Sequence, residues 1–331
     1  MTQRPVRRLQ FSKVLAILIA SIPLCASAHQ TAVPDWVFPL NPPQVAEAAS
    51  SENTAAPQHV PGSKETFTRA QLSNLLVTPD WFPQSHTPMP EAVARGRAPG
   101  MYACGFCHLP TGQGRPENAS LAGLPAAYII QQVADFKSGV RRSALGGVYL
   151  PTELMAHIAA VATTEEVASA AEYFSQQHLS PRVRVVERPT VPRSRVIGWV
   201  YAGIPGGGEE PLGQRLMEFA PDPVRHENRD DTMRYIAYVP PGSVRRGLSI
   251  ATNGSNGLAV ACVSCHGAEL KGVGLVPQLA GRSPSYLLRQ LLAFQTGARA
   301  GATGLPMGAV VAKLPIGSMI DVAAYAASLP P

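Results

Sequence analysis

The chain has 331 residues, 45% of them hydrophobic and 15% charged, with 32 prolines and 29 glycines. That mix suits two or three loop-rich globular domains and excludes a disordered or fibrous chain. Of the net charge of +6, most sits in the first 28 residues, which hold four basic and no acidic side chains; the rest has 24 basic against 22 acidic residues, a net of +2, and gives no ground for a nucleic-acid partner.

The chain opens on Arg4, Arg7, Arg8 and Lys13, followed by an apolar run from Val14 to Leu24 and by Ala26-Ser27-Ala28. This is the pattern of an export signal cut after residue 28. The run is shorter than the ~20 residues of a spanning helix, and Pro23 interrupts it; an uncleaved N-terminal anchor is the alternative. The expected location is therefore the periplasm. Residues 29–66 read as an extended, Pro- and Ala-rich lead, partly packed on the surface.

Cys25 falls within the signal. The other four cysteines form Cys104-Gly105-Phe106-Cys107-His108 and Cys262-Val263-Ser264-Cys265-His266. C-x-x-C-H is the attachment pattern of a c-type haem. Two thiols on one helical turn can each form a thioether with a haem vinyl group, and the next residue places an imidazole under the iron. A thioredoxin-like pair needs a strand-to-helix junction, and no βαβ pattern surrounds either motif. A zinc site would need ligands from pairs 158 positions apart.

The sequence after the first motif recurs after the second at an offset of 158. Leu121-Ala122-Gly123 returns as Leu279-Ala280-Gly281, Tyr128 as Tyr286, Gln132 as Gln290, Phe136 as Phe294 and Gly139 as Gly297. Residues 127–136 and 285–294 are thus two copies of one amphipathic helix. About six extra residues follow Gly139, around Arg141–Leu150, and agreement resumes at an offset of 152: Met155 precedes Tyr173, and Met307 precedes Tyr325, by 18 positions each. The last helices are predicted over Glu165–Gln177 and Met319–Ser328, the first opened by the capping box Thr163-Thr164-Glu165-Glu166. A thioether is a soft, neutral ligand that raises a haem potential, so the matched Met155 and Met307 are the predicted sixth ligands. Met217 and Met233 have no counterpart and are read as packing residues; Met101, close to the first motif, is also unmatched.

On these motifs the chain resembles class I cytochromes c, and in layout the two-domain dihaem cytochromes of the cytochrome c-four type. The match covers about 95–180 and 244–330, including Pro277-Gln278-Leu279-Ala280-Gly281 and the two Tyr-x-x-x-Gln helices. The resemblance implies a mostly α fold: a first cytochrome c domain over 67–180, a second over 246–331, and, as a departure, a small β-rich insert over 181–245. Strands there are read at Val183–Arg188, Val196–Tyr201 and Met233–Val239, and the run Glu227–Asp231 as a solvated turn. It also implies two covalent haem c groups, held by Cys104, Cys107, Cys262 and Cys265, with iron ligated by His108, Met155, His266 and Met307. The Pro277 carbonyl is expected to accept the Nδ1 proton of His266, while Ala119 in the matching place puts the His108 contact in doubt. First and last helices should cross at Gly96 or Gly247 beside Tyr173 or Tyr325.

The function so implied is electron transfer without catalysis, between redox protein partners that the sequence does not identify, a membrane-bound oxidase or a dehydrogenase among them. Two rivals are a dihaem peroxidase, for which His157 would be a substitute ligand, and the cytochrome subunit of a periplasmic dehydrogenase. His86, His178 and His226 are read as surface or packing residues. Charge is uneven: residues 67–180 carry 7 basic and 8 acidic groups, whereas 246–331 carry 6 and 2, which predicts an acidic partner for the second half.

Overall fold

The computed structural model describes residues 1–2, 33–41 and 55–331 apart from 255, 256 and 258, so the predicted signal beyond residue 2 and much of the lead lie outside the described residues. The chain divides into two units, Met1–Ala32 and Val33–Pro331. The second unit begins with β1 (Pro57–Gln58), β2 (Phe67–Thr68), α1 (Arg69–Leu72), α2 (Glu91–Ala94), α3 (Cys104–His108), α4 (Ala126–Lys137), α5 (Leu150–Val161) and α6 (Thr164–Ser175). Its middle is strand-rich: β3 (Val183–Glu187), β4 (Thr190–Pro192), β5 (Ser194–Ile197), β6 (Val200–Gly203), β7 (Glu209–Pro211), β8 (Met217–Phe219), α7 (Pro223–Glu227) and β9 (Tyr235–Val239). The last part is helical again: α8 (Ser243–Asn253), α9 (Val263–His266), α10 (Pro284–Gln295), α11 (Leu305–Val311) and α12 (Ile316–Ser328).

The helices start and stop where local chemistry sets them. The Thr163 hydroxyl accepts from Glu166 N–H while the Glu166 carboxylate accepts from Thr163 N–H, which opens α6. At α10 the Ser283 hydroxyl accepts from Tyr286 N–H, a one-way cap, with Pro284 as the first residue of the helix. The repeated helices α4 and α10 both run into a glycine with positive φ, Gly139 and Gly297, where any side chain would be strained.

In the middle part the strands lie in the order β3-β9-β8-β6-β5, with β3/β9 and β6/β8 parallel and β8/β9 and β5/β6 antiparallel; β4 and β7 form a separate pair. The expected strand at Val196–Tyr201 is instead a hairpin. Ile197 pairs with Val200 across Gly198-Trp199, both with positive φ, the two-residue turn whose twist matches its strands. Met217 and Met233 are buried in the apolar clusters of this region, as packing residues.

Two further expectations are corrected. The run Glu227–Asp231 is not a solvated turn: Asn228, Asp230 and Asp231 are buried. The Trp81 indole donates to the Asn228 carbonyl (2.7 Å), and the Arg225 guanidinium lies 2.6 Å from Asp230. Charged letters suggested water, but Asn228 and Asp230 find partners within the protein, and Asp231 accepts from the Thr111 hydroxyl through one of its two oxygens. Of the described lead, residues 33–41 reach the core, whereas 55–66 lie mostly exposed. Val37 and Phe38 are buried in one core with Tyr149, Leu216, Leu288 and Ile320; Phe38 meets Tyr149 edge-on at 5.0 Å, and Arg289 donates to the Val37 carbonyl. That cluster joins all three parts of the chain.

The helix crossing is present in the second half and altered in the first. A Cβ on Gly247 would stand 2.0 Å from the Asp321 carbonyl oxygen and 2.7 Å from Tyr325 Cβ, so α8 and α12 touch backbone to backbone. Arg246 adds a two-point bridge to Asp321 at 2.8 and 2.9 Å. In the first half α2 spans only Glu91–Ala94, and Gly96 lies against the Met101 carbonyl rather than Tyr173. Gly247→Ala should therefore destabilise the protein by about 3 kcal/mol, read as a lower midpoint in urea with unchanged slope, whereas Gly317→Ala, in open space on the same α12, should not.

His226 gives a second check. Its ring is buried between the Tyr235 hydroxyl (3.1 Å) and the Gly198 carbonyl (3.2 Å), and burial lowers its pKa from 6.5 to about 4. The unfolded chain takes up this proton first, so the stability linked to neutral His226 is complete above about pH 6.5 and is lost as pH falls toward 4. Between those limits wild type should lose about 3 kcal/mol relative to His226→Gln. Melting both proteins from pH 7.5 to 4.5 measures the difference, and parallel curves would exclude His226 as a source of acid sensitivity.

Candidate functional site

Both C-x-x-C-H motifs fold as single helical turns, α3 and α9, which brings each cysteine pair and its histidine together. The His108 Nδ1 lies 2.8 Å from the Ala119 carbonyl and the His266 Nδ1 2.9 Å from the Pro277 carbonyl. The doubt attached to Ala119 is thus resolved: the acceptor is a backbone carbonyl, which alanine supplies as well as proline. In this tautomer Nδ1 carries the proton and Nε2 keeps its lone pair for a metal. The loop that delivers each carbonyl is built alike. Gly114 N–H donates to the His108 carbonyl and Gly272 N–H to that of His266; Gly112 O receives Leu121 and Ala122, and Leu270 O receives Leu279 and Ala280.

Burial holds both imidazoles below the usual histidine range, opposed in each case by the carbonyl bond. It also raises the Cys104 thiol to about 12 and the Cys107 and Cys262 thiols above their ordinary value. Burial thus disfavours the thiolate that a redox-active pair needs. Among the described residues, no three His, Cys, Asp or Glu side chains converge as a metal site.

Met155 sits half-buried on α5 and Met307 half-buried on α11. Met307 packs into the apolar cluster that also includes Cys262, Val263 and Leu279. His157, two positions after Met155 on the same helix, is exposed and tilts against the Tyr102 ring at 5.7 Å. Residues two apart on a helix project to opposite sides, so the two side chains do not share a direction. His86 is tied to Asp80 (3.2 Å) and to the Tyr173 hydroxyl (3.1 Å). Hydrogen bonding to Asp80 raises its pKa. His178 is exposed.

One group of residues is missed by reading the sequence alone. Arg141 and Arg299 are both buried, and their backbones form an antiparallel bridge. Arg141 donates to Gln132, Tyr286 and Gln290 at 2.9–3.1 Å, and Arg299 to Gln290, Tyr128 and Gln132 at 2.6–3.1 Å. Each guanidinium also stacks on a phenylalanine of its own half, Phe136 at 4.5 Å and Phe294 at 4.4 Å. Each half thus lends its arginine to the tyrosine and glutamine of the other. Burial, then the charge of Arg299, lowers the pKa of Arg141. Neither arginine has a carboxylate within bridging distance among the described residues. Two buried like charges without an anion are unfavourable unless something else neutralises them. A signal for them does exist: Arg141 and Arg299 also stand 158 apart, two positions beyond Gly139 and Gly297.

No family model matches the chain. Over 86 residues it is 35% identical to cytochrome c-552 of Acidithiobacillus ferridurans, a match covering 26% of this chain and 36% of that protein. Over 76 residues it is 36% identical to cytochrome c-554(547) of Halothiobacillus neapolitanus, covering 20% of this chain and 84% of the relative. A longer match, 26% identical over 202 residues, covers 60% of this chain and 65% of a thiosulfate dehydrogenase electron acceptor from Thiomonas intermedia. The chain therefore spans about a third of the first of these relatives, most of the second and just under two thirds of the third.

Proposed function

We propose that this chain, which belongs to the cytochrome c family, carries electrons between two redox proteins on two covalently attached haems. The observation that carries the reading is the matched pair of imidazoles, each with Nδ1 bound to a carbonyl eleven positions on and Nε2 left for iron. When bound, a haem supplies a one-electron ferric/ferrous couple. Cys104 and Cys107 would hold the first through thioethers, and Cys262 and Cys265 the second. His108 and His266 would ligate the irons on one side, Met155 and Met307 on the other.

The residues around the motifs fit that cofactor. A c-type haem brings two propionates, and Arg141 and Arg299 are buried cations in need of anions. The carbonyls of Ala119 and Pro277 fix the orientation of the imidazoles and make them better donors. The apolar cluster behind Cys262 and Met307 keeps water from that side. Held by one histidine and one methionine each, the irons would offer no position to a substrate, and the chain would have no proton to move. His157 faces Tyr102 rather than the side of Met155, which disfavours the peroxidase alternative.

The 202-residue likeness to a thiosulfate dehydrogenase electron acceptor favours a dehydrogenase as the donor. Covalent attachment and the signal-like start suit the periplasm; among the described residues no single helix is long and apolar enough to cross a membrane. Potentiometric titration of the purified protein should give two one-electron waves with six-coordinate spectra in both redox states and no turnover of peroxide. A five-coordinate resting haem with peroxide turnover would instead make it an enzyme.

A further inference from the structure

The repeat lets the two motifs be compared position by position, and their surroundings are opposite. In the first, Gly105 and Phe106 are buried, and so is the loop from Gly112 to Glu117. The cover is the strand-rich middle part. The Arg229 guanidinium lies 3.6 Å from the centre of the Phe106 ring and donates to the Phe106 and Leu72 carbonyls at 3.3 Å. Arg182 donates to the Gly114 carbonyl at 2.7 Å, and Arg115 to the His226 carbonyl at 3.3 Å.

At the second motif these places are open. Ser264, where the first has Phe106, is exposed, as is Cys265. Val273 and Leu275 replace the buried Arg115 and Glu117, yet they are 60% and 63% exposed. Lys271 stands exposed where Gln113 is buried. The chain thus buries its charged loop and shows its apolar one, which forgoes up to about 1.5–3 kcal/mol per aliphatic side chain left in water. Such a choice suits a surface that is covered in use. In the half that carries it, Arg282, Arg289 and Arg299 are buried and Arg246 is bound to Asp321, which leaves Lys271 and Lys313 exposed against Glu269, a small positive balance.

Resting on the two-haem reading above, we propose that the middle part closes the first haem edge to other proteins, and that Val273, Leu275 and Lys271 beside Cys265 dock an acidic redox protein. Electrons then enter and leave at the second haem, and the first is reached only through it. In each encounter the partner loses one electron and one ferric iron becomes ferrous; no bond or proton moves.

The test mixes the oxidised holoprotein with reduced plant-type [2Fe–2S] ferredoxin, a small acidic donor. The double variant V273E/L275E should be reduced at least about tenfold more slowly, as repulsion replaces contact. Leu275→Gln, which adds no charge, should slow it by a smaller factor. Val148→Glu, at an exposed apolar residue of the first half, should stay within about twofold of wild type. Hydroxyl-radical footprinting with oxidised ferredoxin should show protection over 271–276 and none over 112–117. Equal slowing by Val148→Glu, an unaffected double variant, or protection of the first loop would overturn the proposal. Absence of haem absorption before mixing would defeat instead the reading on which it rests.

Discussion

Met307→His should lower the potential of one haem by on the order of 0.2 V, within the ~0.8 V that axial ligands span, and leave the other wave where it was. A neutral thioether favours Fe(II), while an imidazole favours Fe(III), so exchanging one for the other stabilises the oxidised state. Met307 lies half-buried on α11 in the cluster that includes Cys262 and Val263, so a histidine there starts from the correct side. Met155→His should move the opposite wave. Spectroelectrochemical titration of the two variants gives the answer directly. Buried Met319, in the same core, supplies the control: Met319→Leu should shift neither wave by more than a few hundredths of a volt. Were the Met307 and Met155 variants to titrate like wild type, thioether ligation at these positions would be wrong.

The second large effect is expected at the buried arginine pair. If Arg141 and Arg299 neutralise haem propionates, Arg141→Leu leaves carboxylates buried without a partner, at a cost of about 3–5 kcal/mol to the holoprotein. It also removes a positive charge that disfavours the ferric state. An interaction of about 2 kcal/mol at an effective dielectric constant of ~20 corresponds to a fall in potential of roughly 90 mV. Arg141→Lys should keep most of the potential and lose part of the stability, because a point charge replaces a planar fork. The contrary case has the opposite sign. If the two guanidiniums merely repel one another, leucine relieves that repulsion and the holoprotein becomes harder to unfold. Denaturation by guanidinium chloride, followed through the haem absorption, separates the two.

How much of the molecule is written in its sequence depends on whether local chemistry or distant packing decides. The motif turns, the capping box at Thr163, and the paired helices 126–137 and 284–295 are legible, because spacing and caps act within a few residues. The carbonyl behind His108 is harder to foresee, since the proline expected there is replaced, although the backbone supplies the same atom. Val196–Tyr201 looks like one strand because alternation does not register a tight turn at Gly198-Trp199. The errors at Glu227–Asp231 and in the lead share a cause. Their polar or proline-rich letters say nothing of partners more than a hundred residues away, such as Trp81 for Asn228 and Arg289 for Val37. The exposure of Val273 and Leu275 is of the same kind, for it depends on where the middle part packs and not on any local pattern.

Haem joined to both cysteine pairs is the central claim, and the intact mass of the purified protein under denaturing conditions tests it most directly. The polypeptide should carry the mass of two haems through unfolding. A chain weighing no more than its amino acids, or one that retains a single haem, would contradict it.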